Sequence, residues 1–394
     1  MEPKAPTKDE VRRLVVENVG PVRFAELKLP RVSVVAGGNG SGKTTLAMIH
    51  YLTLFQEAPE VAEEDVVTLE VGEGYVEVDL REHLDVVCGY VKELIRRLFQ
   101  TEPGRLISQG EASAAVRVEA GGVRLEVALE RGGSAACDLA GATARRIEVK
   151  AVETGPGPLV VWRRDRVEVV GRVGDRVDVP GAVYAVLREV FGEGWVPAAF
   201  LATERLAVVV LMPLLQREIW AFPPAPYKPL IFDFLRWAPP GEYEEPLLGL
   251  RFKVERPGRI VGVVYKGEEI PPSLVASGFA QFAAVVMAAS SPGVASLIIE
   301  EPELNLHVDA QLKAAEYLAS LSHRLFITTH SDLFAIALVH HLKRRDRLGE
   351  VKIYELTKGE ASEVPIDERG AVGEFKTITP IELKAVEQFL EDLT

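Results

Sequence analysis

Cysteine, asparagine and long apolar runs are scarce in this chain of 394 residues, and basic residues are fewer than acidic ones. Its two cysteines, Cys88 and Cys137, stand in unrelated contexts, so we expect no metal site there and two small packing residues rather than reactive thiols. The chain has no apolar run of about 18 residues, so we expect no membrane-spanning helix. The first residues also lack the apolar core of a signal peptide. We therefore expect a cytoplasmic protein without a membrane partner.

The charge balance is negative, with a formal net charge of −13 at pH 7. This excess argues against broad, charge-driven binding to nucleic acid, although it leaves room for a local basic strip. Asparagine occurs only at Asn18, Asn39 and Asn305, whereas glutamate, arginine, valine and proline are abundant. Few thermolabile amides and many charged residues are typical of proteins from thermophiles, a hypothesis that a melting temperature of about 50 °C would contradict.

The most informative stretch runs from Gly37 to Thr44 and fits G-x-x-x-x-G-K-[ST], the pattern of a phosphate-binding P-loop. Its four glycines let the backbone wrap closely around a polyphosphate. We expect Lys43 to reach the β- and γ-phosphates and the Thr44 hydroxyl to ligate Mg²⁺. A strand predicted at 31–35 and a helix predicted at 45–55 flank the loop, which makes an anion site. The residues expected to bind ATP here are Gly37, Gly38, Asn39, Gly40, Ser41, Gly42, Lys43, Thr44 and Thr45.

Periodicity along the rest of the chain predicts a mixed α/β protein with a β-rich insertion. Alternating apolar and charged residues between 114 and 179, separated by glycine turns, predict an antiparallel sheet with one exposed face. Two strands broken at Gly20-Pro21 are predicted before the P-loop. The other predicted strands are 295–299 and 324–328, both buried, and 351–357 at a sheet edge. The predicted helices are 86–99, 184–191, 204–220, 279–289, 304–321, 333–343 and 380–393.

A second motif follows the apolar residues Leu297 to Ile299, where acidic residues lie in the order Glu300, Glu301, Pro302, Glu303. This matches the Walker B pattern. Hydrolysis requires one carboxylate near Mg²⁺ and another that orients or deprotonates the attacking water. We assign Glu300 to the metal and Glu301 to the water. The alternative interpretation is a solvated acidic turn after a core strand.

His330 ends a further apolar strand about thirty residues beyond the Walker B acids. A neutral imidazole at this point could sense or hold the γ-phosphate of the nucleotide. Taken alone, a histidine at a strand end is usually structural. Its position after a P-loop and a Walker B motif favours the functional interpretation.

In this order and spacing the motifs resemble those of ABC-type ATPases related to RecF and to the heads of structural-maintenance-of-chromosomes proteins. Within that group the chain is similar to stand-alone AAA family ATPases, including those linked to abortive infection and to overcoming lysogenization defect. The likeness covers residues 11–60 and 200–380. Glu300 to His307 looks like their Walker B and D-loop, Thr328 to Ser331 like their switch histidine, and Ala202 to Arg205 like a proline-alanine-glutamate-arginine motif.

The resemblance implies an α/β fold of the P-loop NTPase class, of the ABC ATPase-head type, with an antiparallel β-rich lobe and a helical signature lobe. We expect residues 1–56 and 296–394 to form the nucleotide-binding core. Residues 57–200 are expected to form an inserted helical and β-rich arm, and residues 201–295 a helical lobe that carries the signature-like motif.

The chain departs from the family pattern at two places. Glu300 stands where the first Walker B acid is normally aspartate. The transporter signature Leu-Ser-Gly-Gly-Gln is replaced by a degenerate form around Ser277 and Gly278, which precede an apolar helix. Its hydroxyl and amide groups could face a phosphate bound by the other subunit; alternatively, Ser277 is a plain helix N-cap.

Three further assignments stay open. A Q-loop glutamine is not identifiable, and Gln56 and Gln109 are both candidates. Arg205 is either a phosphate or interface contact or a surface arginine. The basic stretch 341–347 is either a solvated helix end or a contact to nucleic acid.

The family resemblance implies a homodimer that forms on ATP binding and sandwiches two nucleotides head to tail. Lys43 and the loop amides would hold the phosphates, Thr44 and Glu300 the Mg²⁺, while Glu301 would polarise the water and His330 would sense the γ-phosphate. Ser277 and Gly278 would complete the site in trans. The output would be a conformational switch.

The partner on which the switch acts stays open. One hypothesis is DNA, in genome maintenance or defence; the other is an effector protein, a nuclease or toxin that the ATPase regulates. The acidic charge favours the protein partner and the related ATPases favour DNA. A transporter subunit is a third hypothesis, disfavoured by the degenerate signature and by the roughly 230 residues between P-loop and signature.

Overall fold

The computed structural model of the chain describes residues 11–56, 68–70, 75–148, 159–163, 166–170, 176–192, 198–205, 240–256, 259–271 and 274–376. The predicted helix 380–393 and nearly all of the predicted helix 204–220 lie outside these ranges. None of the helices within them combines the length and the apolar character needed to cross a bilayer.

The described residues form twenty-one strands and six α-helices. The strands are β1 Arg12–Val19, β2 Val22–Leu29, β3 Val32–Gly37, β4 Thr68–Glu70, β5 Tyr75–Asp79, β6 Ser113–Ala120, β7 Val123–Glu130, β8 Ala135–Gly141, β9 Ala144–Glu148, β10 Leu159–Arg163, β11 Arg166–Val170, β12 Arg176–Asp178, β13 Ala198–Leu201, β14 Gly241–Glu244, β15 Arg251–Arg256, β16 Arg259–Tyr265, β17 Glu268–Ile270, β18 Ser296–Glu300, β19 Arg324–Thr329, β20 Val351–Thr357 and β21 Glu360–Val364. The helices are α1 Lys43–Leu52, α2 Leu84–Phe99, α3 Val179–Phe191, α4 Ser277–Ala289, α5 Val308–Ser320 and α6 Asp332–Lys343.

Contacts divide the chain into two compact units. The first consists of Met1–Lys28 and Met48–Pro197, and the second of Leu29–Ala47 and Ala198–Thr394. The predicted arm, 57–200, falls almost wholly inside the first unit. The P-loop, the Walker B motif, the signature-like motif and His330 all belong to the second.

The first unit contains the strand order β2-β1-β6-β7-β8, in which β1, β6, β7 and β8 pair antiparallel. Along β7, buried and less buried residues alternate, which gives the sheet the one wet face that the sequence predicts. Helices α2 and α3 bury aromatic rings against each other, with Tyr90 and Tyr184 edge to face at 5.5 Å and Phe55 stacked on Tyr90 at 5.7 Å.

The expectation of two unpaired packing cysteines is wrong. Cys88 on α2 and Cys137 on β8 form a disulfide, with their Cα atoms 5.6 Å apart. The two residues are 49 positions apart in sequence. Sequence contexts alone could not reveal the pairing because β8, a strand of alanines and polar residues, was itself not predicted.

The second unit is built on a parallel sheet in the order β13-β18-β19-β3-β20, to which β21 adds antiparallel. Every residue of β3 and β18 is buried, as expected of strands covered on both faces. Strand β20 was predicted at a sheet edge, but it lies between β3 and β21. The short and mostly polar β21 gives little apolar alternation, which explains why it was missed.

The predicted helical lobe, 201–295, contains a sheet as well as a helix. Strands β14, β15, β16 and β17 form a four-stranded antiparallel sheet in that order. Helix α4 follows it and is almost completely buried. Residues 304–307, predicted as the start of the helix 304–321, lie outside it, because α5 begins only at Val308.

Candidate functional site

Three neighbouring parallel strands of the second unit end at the same edge of its sheet, and each ends in a predicted site residue. The P-loop follows β3, the acids Glu300 to Glu303 lie at and after the end of β18, and His330 follows β19. In open parallel sheets, ligands bind beyond the carboxyl ends of the strands. The structure therefore brings together three motifs that are far apart in sequence, with 287 positions between Lys43 and His330.

The P-loop has the backbone that its glycines permit. Gly40 and Gly42 have φ values of +71° and +110°, in the region that favours glycine. A Cβ at Gly37 would lie 2.6 Å from the Leu356 carbonyl oxygen, whereas a Cβ at Gly38 or Gly40 would meet no atom within 4 Å. The first position thus packs against β20, and the following glycines leave the outer side of the loop open.

The Lys43 side chain is buried against the loop and turned toward the other two motifs. Its Nζ donates to the carbonyl oxygens of Gly37 and Gly38, both at 3.0 Å. The same ammonium lies 2.9 Å from Nε2 and 3.4 Å from Nδ1 of His330. Nε2 of His330 in turn lies 3.1 Å from Glu301 Oε1. The P-loop lysine, the histidine and the assigned base are therefore in one continuous chain of contacts.

His330 lies between a group that only donates and a group that only accepts. Contact with the Lys43 ammonium requires an accepting ring nitrogen, and contact with the Glu301 carboxylate requires a donating one. Nε2 is the ring atom nearest to both, at 2.9 Å from Lys43 Nζ and 3.1 Å from Glu301 Oε1, so it can serve only one of them at a time.

Two of these groups have displaced pKa values. The hydrogen bond with His330 lowers the pKa of Glu301, which keeps this carboxylate ionised. Burial lowers the pKa of Lys43, while the nearby Glu301, Glu303 and Glu300 oppose this effect. Glu301 also has a left-handed backbone, with φ of +44°, a conformation that costs energy in a residue with a side chain.

Arg205 is the residue whose role the sequence could not decide, and neither alternative was right. Its side chain is completely buried. Its guanidinium donates to the main-chain oxygens of Glu300 at 2.6 Å, Glu301 at 3.0 Å, Ala202 at 2.8 Å and Gln281 at 3.2 Å. Burial lowers the pKa of Arg205 to about 10. Arg205 thus fixes the backbone at the two Walker B acids rather than contacting a phosphate.

Of the two predicted Mg²⁺ ligands, Glu300 ends β18 and Thr44 is the second residue of α1. Glu300 is fully buried, and its Oε2 accepts from the Thr203 amide at 3.2 Å. Among the described residues, no group of three or more His, Cys, Asp or Glu side chains could hold a metal alone. Mg²⁺ typically takes one or two protein ligands together with substrate phosphates and water, so this donor set fits Mg²⁺ bound with a nucleotide.

The signature-like residues start helix α4 and contact the turn that follows the Walker B acids. A Cβ at Gly278 would lie 2.4 Å from the Asn305 carbonyl oxygen and 2.7 Å from a methyl group of Leu306. The N-cap position is occupied by Ala276, and Ser277 is the first helical residue, so the alternative of a plain Ser277 cap is wrong. Packing within the chain therefore explains why position 278 is a glycine.

The structure also shows where the two Q-loop candidates and the basic stretch 341–347 lie. The Q-loop candidates Gln56 and Gln109 both belong to the first unit, not to the unit that contains the site. In the stretch 341–347, Arg347 donates to the carbonyl oxygens of Ala319 and Leu321, and Lys343 donates to that of Arg369. These basic side chains hold loops in place, which favours the structural interpretation of that stretch.

A family model described as an AAA domain, putative AbiEii toxin of a Type IV toxin–antitoxin system, matches residues 261–337. The match includes α4, the Walker B strand, the turn after it and His330. The chain is a P-loop ATPase. The resemblance to AAA family ATPases linked to abortive infection, predicted from the motifs, is confirmed, and the structure confirms the α/β fold class. A search of curated protein sequences found no match.

Solved structures similar to this ATPase include ATPase heads of low sequence identity. An SMC head domain from Thermotoga maritima is 13% identical, with 91% of this chain and 99% of that chain covered and a TM-score of 0.40. An Smc head domain bound to the C-terminal domain of ScpA, derived from Pyrococcus furiosus, is 10% identical, with 97% and 99% covered and a TM-score of 0.44. The recombination mediator RecF is 8% identical, with 90% and 99% covered and a TM-score of 0.40. All three TM-scores are below 0.5, so no conclusion depends on them.

Proposed function

We propose that this ATPase is a molecular switch in which two chains associate head to tail around two ATP molecules and separate after hydrolysis. The observation that supports the proposal is the chain of contacts from Lys43 through His330 to Glu301. A γ-phosphate bound at Lys43 would also contact His330, which lies against the same ammonium. Phosphate binding is thereby coupled to the position of the base, which is the link a nucleotide switch requires.

The residues of the site have distinct roles in this proposal. Lys43 and the loop amides would hold the phosphates, and Glu301 would accept a proton from the attacking water. Thr44 and Glu300 would hold Mg²⁺, which supplies positive charge to the developing transition state when it is bound. Ser277 and Gly278 would complete the nucleotide site of the partner subunit. Ser277 is suited to this because it is the first residue of helix α4, where the main-chain N–H groups have no acceptor within the helix.

We propose DNA as the partner of the switch, in genome maintenance or defence, because the motifs resemble those of RecF-like and SMC-like ATPases. A second candidate is an effector protein, a nuclease or toxin that the ATPase regulates without binding DNA itself. The net charge of −13 favours this second candidate. So does the description of the matching family model, which names a toxin of a toxin–antitoxin system.

Steady-state ATP turnover with and without linear duplex DNA, at physiological salt, separates the two candidates. Stimulation by DNA in the wild type that is lost in Glu301→Gln supports the DNA partner. Turnover that DNA does not change contradicts it and favours the effector protein. Light scattering with ATP tests the dimer: Glu301→Gln should accumulate as an ATP-bound dimer, and a protein that stays monomeric with bound ATP contradicts the sandwich.

A further inference from the structure

Glu303, the third acid of the turn after β18, has no role in the reaction as described above. Its side chain is almost completely buried, at 8% exposure. Its Oε1 accepts two hydrogen bonds, from the Thr329 hydroxyl at 2.7 Å and from the main-chain N–H of His330 at 2.8 Å. Its Oε2 is buried and has no hydrogen-bond partner among the described residues. Both hydrogen bonds therefore go to Oε1, and both donors lie at the end of β19.

His330 is consequently held at two points by the same short turn. Glu301 contacts its ring at 3.1 Å, and Glu303 accepts from its main-chain amide. Thr329, which donates to Glu303, also accepts from the Ser331 amide at 3.0 Å. The backbone on both sides of His330 is thus anchored, so the ring can rotate about its side-chain torsions without the backbone moving away from Lys43 and the P-loop.

We propose that Glu303 is a positioning residue that acts through His330. This inference rests on the proposed function, in which His330 contacts the γ-phosphate and thereby distinguishes ATP from ADP. If the carboxylate only stabilises the fold, its removal should have the same effect on nucleotide binding whether or not the imidazole is present. A carboxylate that positions the imidazole has nothing left to position once that ring is removed.

The test is a double-mutant cycle read out as the preference for ATP over ADP, measured from the dissociation constants of both nucleotides with Mg²⁺. We expect His330→Ala and Glu303→Ala each to reduce this preference by about tenfold, the scale of one charge-assisted contact to phosphate. The double variant should lose no more than His330→Ala alone. Glu303→Gln keeps an oxygen that accepts both bonds and should stay close to the wild type.

Glu245 offers a matched control, because it is a fully buried carboxylate of the same unit that accepts from the amides of Leu247, Leu248 and Leu250. Glu245→Ala should lower the melting temperature without changing the ATP preference. If Glu303→Ala does not fold, Thr329→Val removes one of the two donors with little change of shape and takes its place in the cycle.

Three outcomes have separate meanings. Additive losses in the double variant, or a Glu303→Gln variant as impaired as Glu303→Ala, overturn the positioning role. A wild type that binds ATP and ADP equally removes the assigned role of His330 and this inference with it. A wild type that binds neither nucleotide contradicts the proposed function itself.

Discussion

At the residue scale, Arg205 shows how a buried charge can serve a catalytic turn without touching the substrate. Its guanidinium donates to four main-chain oxygens, two of which belong to Glu300 and Glu301. Lysine has a single ammonium and cannot reproduce this planar fork of donors. Replacement therefore leaves several buried carbonyl groups without a partner.

We expect Arg205→Lys to lower the free energy of unfolding by about 3 kcal/mol or more, since each unsatisfied buried acceptor costs about 1–3 kcal/mol. Turnover should fall as well, because the turn that carries Glu301 loses its anchor. Urea denaturation and ATP turnover measure the two effects. Arg13→Lys is the control: Arg13 is 41% exposed and makes surface ion pairs, so this change should be nearly neutral. Equal effects of the two substitutions would refute the anchoring role.

Glu303 gives a prediction about pH. Burial raises the pKa of this carboxyl above its ordinary 4.5, so in that range the folded state binds its proton more tightly than the unfolded state does. The contribution of Glu303 to stability is then fully present below pH 4.5 and is lost as pH rises through the folded pKa. Glutamine does not titrate. The stability of Glu303→Gln relative to the wild type should therefore increase from pH 4.5 to pH 8, as measured by urea denaturation at each pH. A difference that does not vary with pH would contradict this account.

Some of the residues at the site have a recognisable sequence pattern and others have none. The spacing of glycines and the Walker B acids identified Lys43 and Glu301, because their chemistry requires those residue types in that order. Nothing local distinguished Arg205 from a surface arginine, since its partners are backbone oxygens up to 96 residues away. The left-handed φ of Glu301 has no sequence signal either, because glutamate is not a residue that favours this conformation.

At the element scale, the disulfide joins helix α2 to strand β8 and closes a loop of 49 residues. In the chain-entropy account, such a crosslink stabilises by about 4 kcal/mol. We expect a reductant to lower the melting temperature of the wild type, and a Cys88→Ser, Cys137→Ser double variant to melt at this lower temperature with or without reductant. Two titratable thiols in the untreated, unfolded protein would contradict the pairing.

Helix α4 meets the turn after the Walker B strand so closely at Gly278 that no other residue fits. A Cβ there would lie 2.4 Å from a backbone oxygen of Asn305, which cannot move as a flexible side chain would. We expect Gly278→Ala to destabilise the fold by about 1–3 kcal/mol, in the range of overpacked cores. Gly89→Ala on α2, where a Cβ meets nothing within 4 Å, should be neutral or slightly stabilising. Chemical denaturation compares the two, and a neutral Gly278→Ala would argue against this close contact.

The elements that carry the site were predictable because their signals are strong. Strands β3, β18 and β19 are continuous apolar runs, α2 has a clear helical periodicity, and α4 and α6 are rich in apolar residues. Polar strands such as β8 and β21 and the four strands between 241 and 270 were missed. Their pairing depends on partners far along the chain, which a local pattern does not record.

At the scale of the whole molecule, the scarcity of asparagine and the presence of a disulfide point in the same direction. Disulfides are rare in intracellular proteins of mesophiles but frequent in those of hyperthermophiles. The thermophile hypothesis stays a prediction. It is consistent with both features, and a melting temperature well above about 65 °C would support it.

The central claim is that Lys43 binds the nucleotide and Glu301 cleaves it, with the two roles separable within one site. The most direct test compares ATP binding and single-turnover hydrolysis in the wild type, Lys43→Ala and Glu301→Gln. We expect Lys43→Ala to lose nucleotide binding, whereas Glu301→Gln should bind ATP about as tightly as the wild type and hydrolyse it at least about 100-fold more slowly. A Glu301→Gln protein with normal hydrolysis would contradict the account, because another group would then have to activate the water.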